Sequence, residues 1–158
     1  MTDRRFGIGF DAHAFAEGRV LFLGGVRFDG EPGLAGHSDG DAVCHAVADA
    51  LLGAAALGDV GEHFPESDER LAGIEGLELL ARTIAKIRVQ GFVAWSADVT
   101  LVAERPSISP HRDEIRRNLA TTLNVPIDRL SVKATRPEGL GLTGDGIGCL
   151  ALAVLSVP

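Results

Sequence analysis

Cysteine is scarce in this chain, cations are outnumbered, and long apolar runs are missing. The two cysteines, Cys44 and Cys149, are too few for a disulfide framework and sit in apolar surroundings, so both are expected as buried free thiols. Lysine and arginine total 15 against 22 acids, a formal net charge of −7. That balance excludes the basic patches that nucleic acids and anionic membranes require. An anionic substrate would then need a local source of positive potential. The longest apolar run, Cys149 to Leu155, is far too short to span a bilayer. The N-terminal stretch has no signal-peptide core, so the cytoplasm of a bacterium-like cell is the expected compartment. Internal repeats, low-complexity tracts and linkers are also missing, and 158 residues suit one domain over residues 1–158.

What is present reads as alternating and helical segments. Gly7 to Phe10 resembles the end of a short first strand, and Val20 to Phe28 a strand interrupted at Gly24-Gly25. Ser38 to Asp41 has the form of a capping box, with the serine accepting from the Asp41 amide. The helix behind it is expected to run to about Leu57. A second helix is expected from near Asp68 to a stop at Gly91, with Leu71, Ile74, Leu77, Leu80, Ile84 and Ile87 at helical spacing. Phe92 to Ala103 alternates as a strand. Pro110 opens a helix with Ile115, Leu119 and Leu123 on one face. Leu130 to Thr135 and Cys149 to Val157 complete the strands. The segregated mixture predicts an α+β fold: a mixed four-stranded sheet, helices on one face, and a small extra hairpin.

Two patterns carry chemistry. Asp11-Ala12-His13 places a carboxylate and an imidazole on the same side of an extended chain. His45 lies just over one turn into the helix that starts after Gly40. Each is ordinary alone: D-x-H arises by chance, and a lone helical histidine is commonly a satisfied core residue. Together, with a polar helix mouth between them, they read as a metal site. One carboxylate and two imidazoles suit zinc, and three ligands leave a position open for catalysis. His37 and Ser38 stand at the helix N-terminus, whose free amides and partial positive charge favour phosphate. Metal and helix end would supply the positive potential that the net charge lacks. Asp39 and Asp41 read as capping and orienting groups. His63 and His111 read as solvated or capping.

At these residues the chain resembles a known family. GFDAH, AGHSDGD, HAVADALLGAAALGDVG, DVTLVAERP, SVKAT and EGLGLTG are similar to the 2-C-methyl-D-erythritol 2,4-cyclodiphosphate synthase family, in constant register over essentially the whole chain. The resemblance implies a metal-dependent phosphorus–oxygen lyase of the non-mevalonate isoprenoid pathway. Its substrate would be 4-diphosphocytidyl-2-C-methyl-D-erythritol 2-phosphate, closed to the cyclic diphosphate with release of CMP. It further implies a homotrimer whose sheets face the centre, with active sites between subunits. Zinc would sit on Asp11, His13 and His45, and Mg2+ or Mn2+ near Glu138. His37 would act on the phosphates during transfer, and Asp11, His13 and Ser38 would also border the substrate. Asp59, Val60, Gly61, Phe64, Pro65, Glu66, Ser67 and Asp68 would surround the methylerythritol. Ala103, Arg105, Pro106, Ser107, Ile108, Thr135, Arg136, Pro137 and Glu138 would hold the cytidine diphosphate end. Leu142 and Asp145 are further candidates from the glycine-rich turn.

The chain departs from the family pattern in two places. Arg136 stands where a threonine commonly steadies the transition state, and Ser107 where a lysine is common. Arg136 replaces them by charge or by its backbone amide, or else turns to solvent. Asp145 and Ile147 replace an arginine and a glutamate that line the family's central cavity. Weak or no binding of isoprenoid diphosphates is therefore expected there. Two other readings use the same residues: a zinc hydrolase that activates water, and a metal-stabilised binding protein.

Overall fold

A thirteen-residue strand, β1 (Arg4–Ala16), organises the molecule. The computed structural model describes residues 3–158. Along β1, Gly7 and Gly9 are buried and Asp11 and His13 are partly so, while Phe6, Ile8 and Phe10 between them are exposed. One face of the strand is therefore built for contact and the other is left open. The expectation of a short first strand is corrected, because pairing with the last strand continues from Arg4 to Ala14.

Two short strands, β2 (Leu21–Leu23) and β3 (Val26–Phe28), form the extra hairpin. Gly24 and Gly25 are its turn, with φ of 58° and 74°, so the expected interruption is a reversal of direction. β4 (Gly33–Leu34) pairs with β1. It is followed by α1 (Ala42–Ala54), a single turn α2 (Val60–His63), and α3 (Gly76–Val89). Then come β5 (Val93–Val102), α4 (Arg112–Leu123), β6 (Leu130–Thr135) and β7 (Gly146–Ser156).

The sheet has five strands in the order β4-β1-β7-β5-β6, not four. β4 contributes only two residues, which no alternation pattern could reveal. β5 and β6 run parallel and the other pairs antiparallel, so the sheet is mixed as expected.

Three further boundaries differ from the sequence reading. α1 ends at Ala54, because Ala56 takes a positive φ of 57° and breaks the helix before Leu57. The second helix starts at Gly76, not near Asp68; Glu69–Leu71 is a separate 3-10 turn. Pro110 lies in a 3-10 turn, Ser109–His111, and α4 proper begins at Arg112.

α1 lies directly on β1. A Cβ at Gly7 would come 2.0 Å from the Ala50 carbonyl oxygen, and one at Gly9 would come 2.0 Å from that of Ala46. Only glycine permits so close a helix-to-strand approach. The alanines of α1 complete the fit, and all of Ala42, Ala46 and Ala50 are fully buried. Cys44 and Cys149 are both buried and free, and burial pushes both thiols up, so neither is reactive near neutrality.

Candidate active site

The close packing of α1 on β1 carries His45 to the side of β1 that presents Asp11 and His13. Asp11 Oδ2 lies 2.7 Å from His13 Nε2 and 3.4 Å from His45 Nδ1, and the two ring nitrogens are 3.4 Å apart. All three ligating atoms fall within 4.8 Å of one another. Three electron-pair donors thus converge on one point, and Asp11 Oδ2 is buried with no well-formed hydrogen bond. A divalent cation satisfies all three at once, so the donor set fits a metal.

The surrounding groups orient the imidazoles. His45 Nε2 lies 3.1 Å from Ser38 Oγ, which also accepts from the Gly40 amide at 3.1 Å. That contact fixes the orientation of the ring and turns Nδ1 toward Asp11. His13 hydrogen-bonds the Ala35 backbone in the same manner. Burial alone would raise the Asp11 carboxyl, but the two imidazoles outweigh it and hold it at about 2. The Asp11 carboxylate, 2.7 Å away, in turn raises His13 above the usual imidazole value, against the opposing effect of burial.

The helix mouth is tied together differently from the expected capping box. Asp41, not Ser38, is the N-cap of α1; its side chain accepts from the Val43 and Cys44 amides, both at 3.1 Å. Asp41 also takes the Gly24 amide at 2.9 Å and the Gly25 amide at 2.7 Å, so one buried carboxylate joins the hairpin turn to α1. Asp39 accepts from the Asp41 amide at 3.0 Å and the Gly76 amide at 2.8 Å, linking α1 to α3. Both acids are structural, as expected. Arg19 donates to the Gly36 carbonyl at 2.9 Å and also to that of Ser38, and so fastens the loop that carries His37.

A cavity of about 460 Å³ opens at this point. Of the candidates, Asp11, His13, His37, Ser38, His45, Asp59, Val60, Gly61, Phe64 and Glu66 line it. Asp59 caps α2, accepting from the Glu62 amide at 2.9 Å, and remains exposed to the cavity. Pro65, Ser67 and Asp68 follow in the same loop but do not line this cavity; Asp68 is paired with Arg70 at 2.8 Å.

A second, smaller groove of about 180 Å³ gathers Ala103, Pro106, Ser107, Ile108, Thr135 and Arg136 at the ends of β5 and β6. Arg105 turns away from it, paired with Glu31 at 3.1 Å and stacked over Phe15. Pro137 is buried; Glu138 is exposed with φ +52°, and the amide after it, Gly139, donates to Glu104 at 2.9 Å. Leu142 and Asp145 are exposed and line neither cavity. No residue lines both the cavity and the groove.

Two residues outside the candidate set deserve note. Asp49 lines the main cavity four residues after His45, a helical spacing that sequence could have flagged. Arg112 lines the smaller groove beside Arg136. His63 bonds the Leu57 carbonyl at 2.8 Å, and His111 packs edge-on against Phe28, so neither enters the cavity.

The model of the YgbB family matches residues 4–158. The chain belongs to the YgbB family. Among relatives of this YgbB chain, a 2-C-methyl-D-erythritol 2,4-cyclodiphosphate synthase of Trichlorobacter lovleyi is 47% identical over 151 residues, covering 96% of each chain. One from Salinibacter ruber is also 47% identical, covering 97% of this chain and 98% of its own. Among solved structures, the bifunctional IspDF of Campylobacter jejuni superposes with a TM-score of 0.94 at 37% identity. That match covers all of this chain and 43% of the larger protein. The IspF of Plasmodium falciparum in complex with CDP superposes with a TM-score of 0.83 at 30% identity, over 99% of this chain and 98% of that one.

Proposed function

We propose that the chain is a 2-C-methyl-D-erythritol 2,4-cyclodiphosphate synthase. It takes 4-diphosphocytidyl-2-C-methyl-D-erythritol 2-phosphate as a single synthase domain. A 2-phosphate oxygen attacks the β-phosphorus, the bond to the α-phosphate bridge breaks, and CMP leaves. The observation that carries this reading is the convergence of Asp11, His13 and His45 beside the polar mouth of α1 in one cavity. Full-length similarity to synthases of that activity supports it.

Zinc is the cation proposed for Asp11, His13 and His45, with Mg2+ or Mn2+ beside Glu138. When bound, the cations supply positive charge that offsets the repulsion between two phosphate groups of one substrate. The chain's own residues provide alignment. His37, which lines the cavity, would donate to phosphate oxygens as charge builds on them. Ser38 holds the orientation of the His45 ring. Asp59 to Gly61 accept and donate to the polyol hydroxyls, while the groove at Ala103–Ile108 and Thr135–Arg136 takes the nucleotide.

The reading includes a homotrimer with active sites between subunits, as the resemblance to the synthase family implies. The open face of the sheet supports this: Phe6, Ile8 and Phe10 are 67%, 69% and 57% exposed, with Leu150 and Leu152 beside them. The bacterial relatives favour a cytoplasmic setting, and no helix among the described residues is long and apolar enough to cross a membrane.

A ³¹P NMR assay of the purified protein with substrate, zinc and magnesium tests the proposal. Cyclic diphosphate and CMP are expected from the wild type and not from His45→Ala. A linear phosphate product would instead indicate a hydrolase.

A further inference from the structure

Asp49 is an acid in the main cavity whose presence the metal site does not explain. It lies one helical turn beyond His45 on α1 and lines the same space as Asp11 and Asp59. Its Oδ1 accepts from the Val60 amide at 3.2 Å. Asp59 behaves in parallel, using its own Oδ1 to accept from the Glu62 amide at 2.9 Å. Each acid therefore anchors the first turn of α2 with one oxygen. Among the described residues no group donates to the other oxygen of either. Burial pushes the Asp49 carboxyl up, opposed by the Val60 amide, and the charges of Asp59 and Asp11 add to the rise.

Two free carboxylate oxygens at one cavity wall define what can bind there. A carboxylate only accepts, so its complement is a donor without negative charge. A phosphate against this wall would be repelled. A neutral polyol offers adjacent hydroxyls that each donate, and hydrogen bonds to a charged acceptor are among the stronger ones. Asp49 lies one turn further along α1 than the metal-ligating His45, and so further from the helix mouth, which suits phosphate. The cavity therefore offers two kinds of partner to a phosphorylated polyol: carboxylate oxygens of Asp49 and Asp59 for its hydroxyls, and the helix mouth and metal-ligating set for its phosphates.

We propose that Asp49 is a specificity-determining residue, whose free carboxylate oxygen accepts a hydrogen bond from a hydroxyl of the substrate's polyol portion beside Asp59. This rests on the synthase reading. It differs from a purely anchoring role, in which Asp49 does no more than hold the Val60 amide.

Asp49→Asn separates the two roles. Asparagine keeps an oxygen for the Val60 amide and nearly the same shape, but its other atom becomes a donor. In the zinc-loaded protein, kcat/KM for the cytidylated substrate is expected to fall about ten-fold or more. CDP, which lacks the methylerythritol portion, should bind as it does to the wild type, and Tm and zinc content should be unchanged. A kcat/KM within about two-fold of wild type would overturn the proposal, as would a loss of Tm or zinc that accounts for the fall. Calorimetry with 2-C-methyl-D-erythritol 4-phosphate keeps the test independent of turnover. If the wild type binds it and Asp49→Asn weakens binding while no cyclic product forms, the synthase reading fails and the polyol assignment stands. If cyclic product forms and Asp49→Asn matches wild type in both measurements, the polyol assignment alone fails.

Discussion

Gly9 and Ala46 meet so closely that a Cβ on the glycine would sit 2.0 Å from the alanine's carbonyl oxygen. The contact sets the distance between β1 and α1, and hence between Asp11 on the strand and His45 on the helix. Gly9→Ala would have to push α1 outward. Overpacking of this kind costs typically ~1–3 kcal/mol. Chemical denaturation should show a loss of at least that size, and zinc content should fall with it. An unchanged denaturation midpoint with full zinc content would show that the helix position is not set here.

Protons and a cation compete for the atoms of Asp11, His13 and His45. Asp11 is depressed to about 2, so its pairing stabilises the metal-free fold above the ordinary carboxylate pKa and is lost as pH falls through 2. His13 is raised, so its contribution is complete below 6.5 and is lost as pH rises through its folded value. The chelated protein should therefore lose Tm between pH 6 and 8. Zinc, which needs the deprotonated imidazoles, should restore more Tm at pH 8 than at pH 6. Thermal melts with zinc and with EDTA at the two pH values decide it; an equal zinc effect at both would contradict the competition.

Arg112 and Arg136 line one groove, and among the described residues neither has a carboxylate partner within ion-pair distance. In a chain of net charge −7, two free guanidiniums on one small groove favour an anionic nucleotide. Arg136→Ala is expected to lower kcat/KM about ten-fold and to weaken CDP more than cytidine. Arg112→Ala should weaken CDP in the same sense. Unchanged kcat/KM in Arg136→Ala would mean that this side chain turns to solvent and does not stand in for the family's threonine or lysine.

The open face of the sheet should be covered in solution. Ile8→Asp places a charge among Phe6, Phe10, Leu150 and Leu152, where an apolar interface could not accommodate it. Light scattering should report a trimer for wild type and a monomer for the variant, with activity lost alongside. A monomeric wild type that is fully active would refute assembly as a requirement.

The sequence by itself determined the local chemistry. D-x-H on an extended chain put Asp11 and His13 on one side, and the spacing behind Gly40 put His45 on the first turns of a helix; all three meet as expected. Strand β6 appears at the bounds expected for it, and the buried face of α4 is the one that Ile115, Leu119 and Leu123 define. These are short-range consequences of backbone periodicity. Tertiary structure decided what periodicity cannot express. β4 is two residues long and exists only because β1 offers it an edge. Asp41 became the cap because it also satisfies the amides of Gly24 and Gly25, seventeen and sixteen residues away, and no local rule weighs such a partner. Asp49 anchors α2 because that turn folds back to present the Val60 amide to it. Whether a polar group caps, anchors or faces a ligand depends on which distant donors reach it, and that is fixed only when the chain has packed.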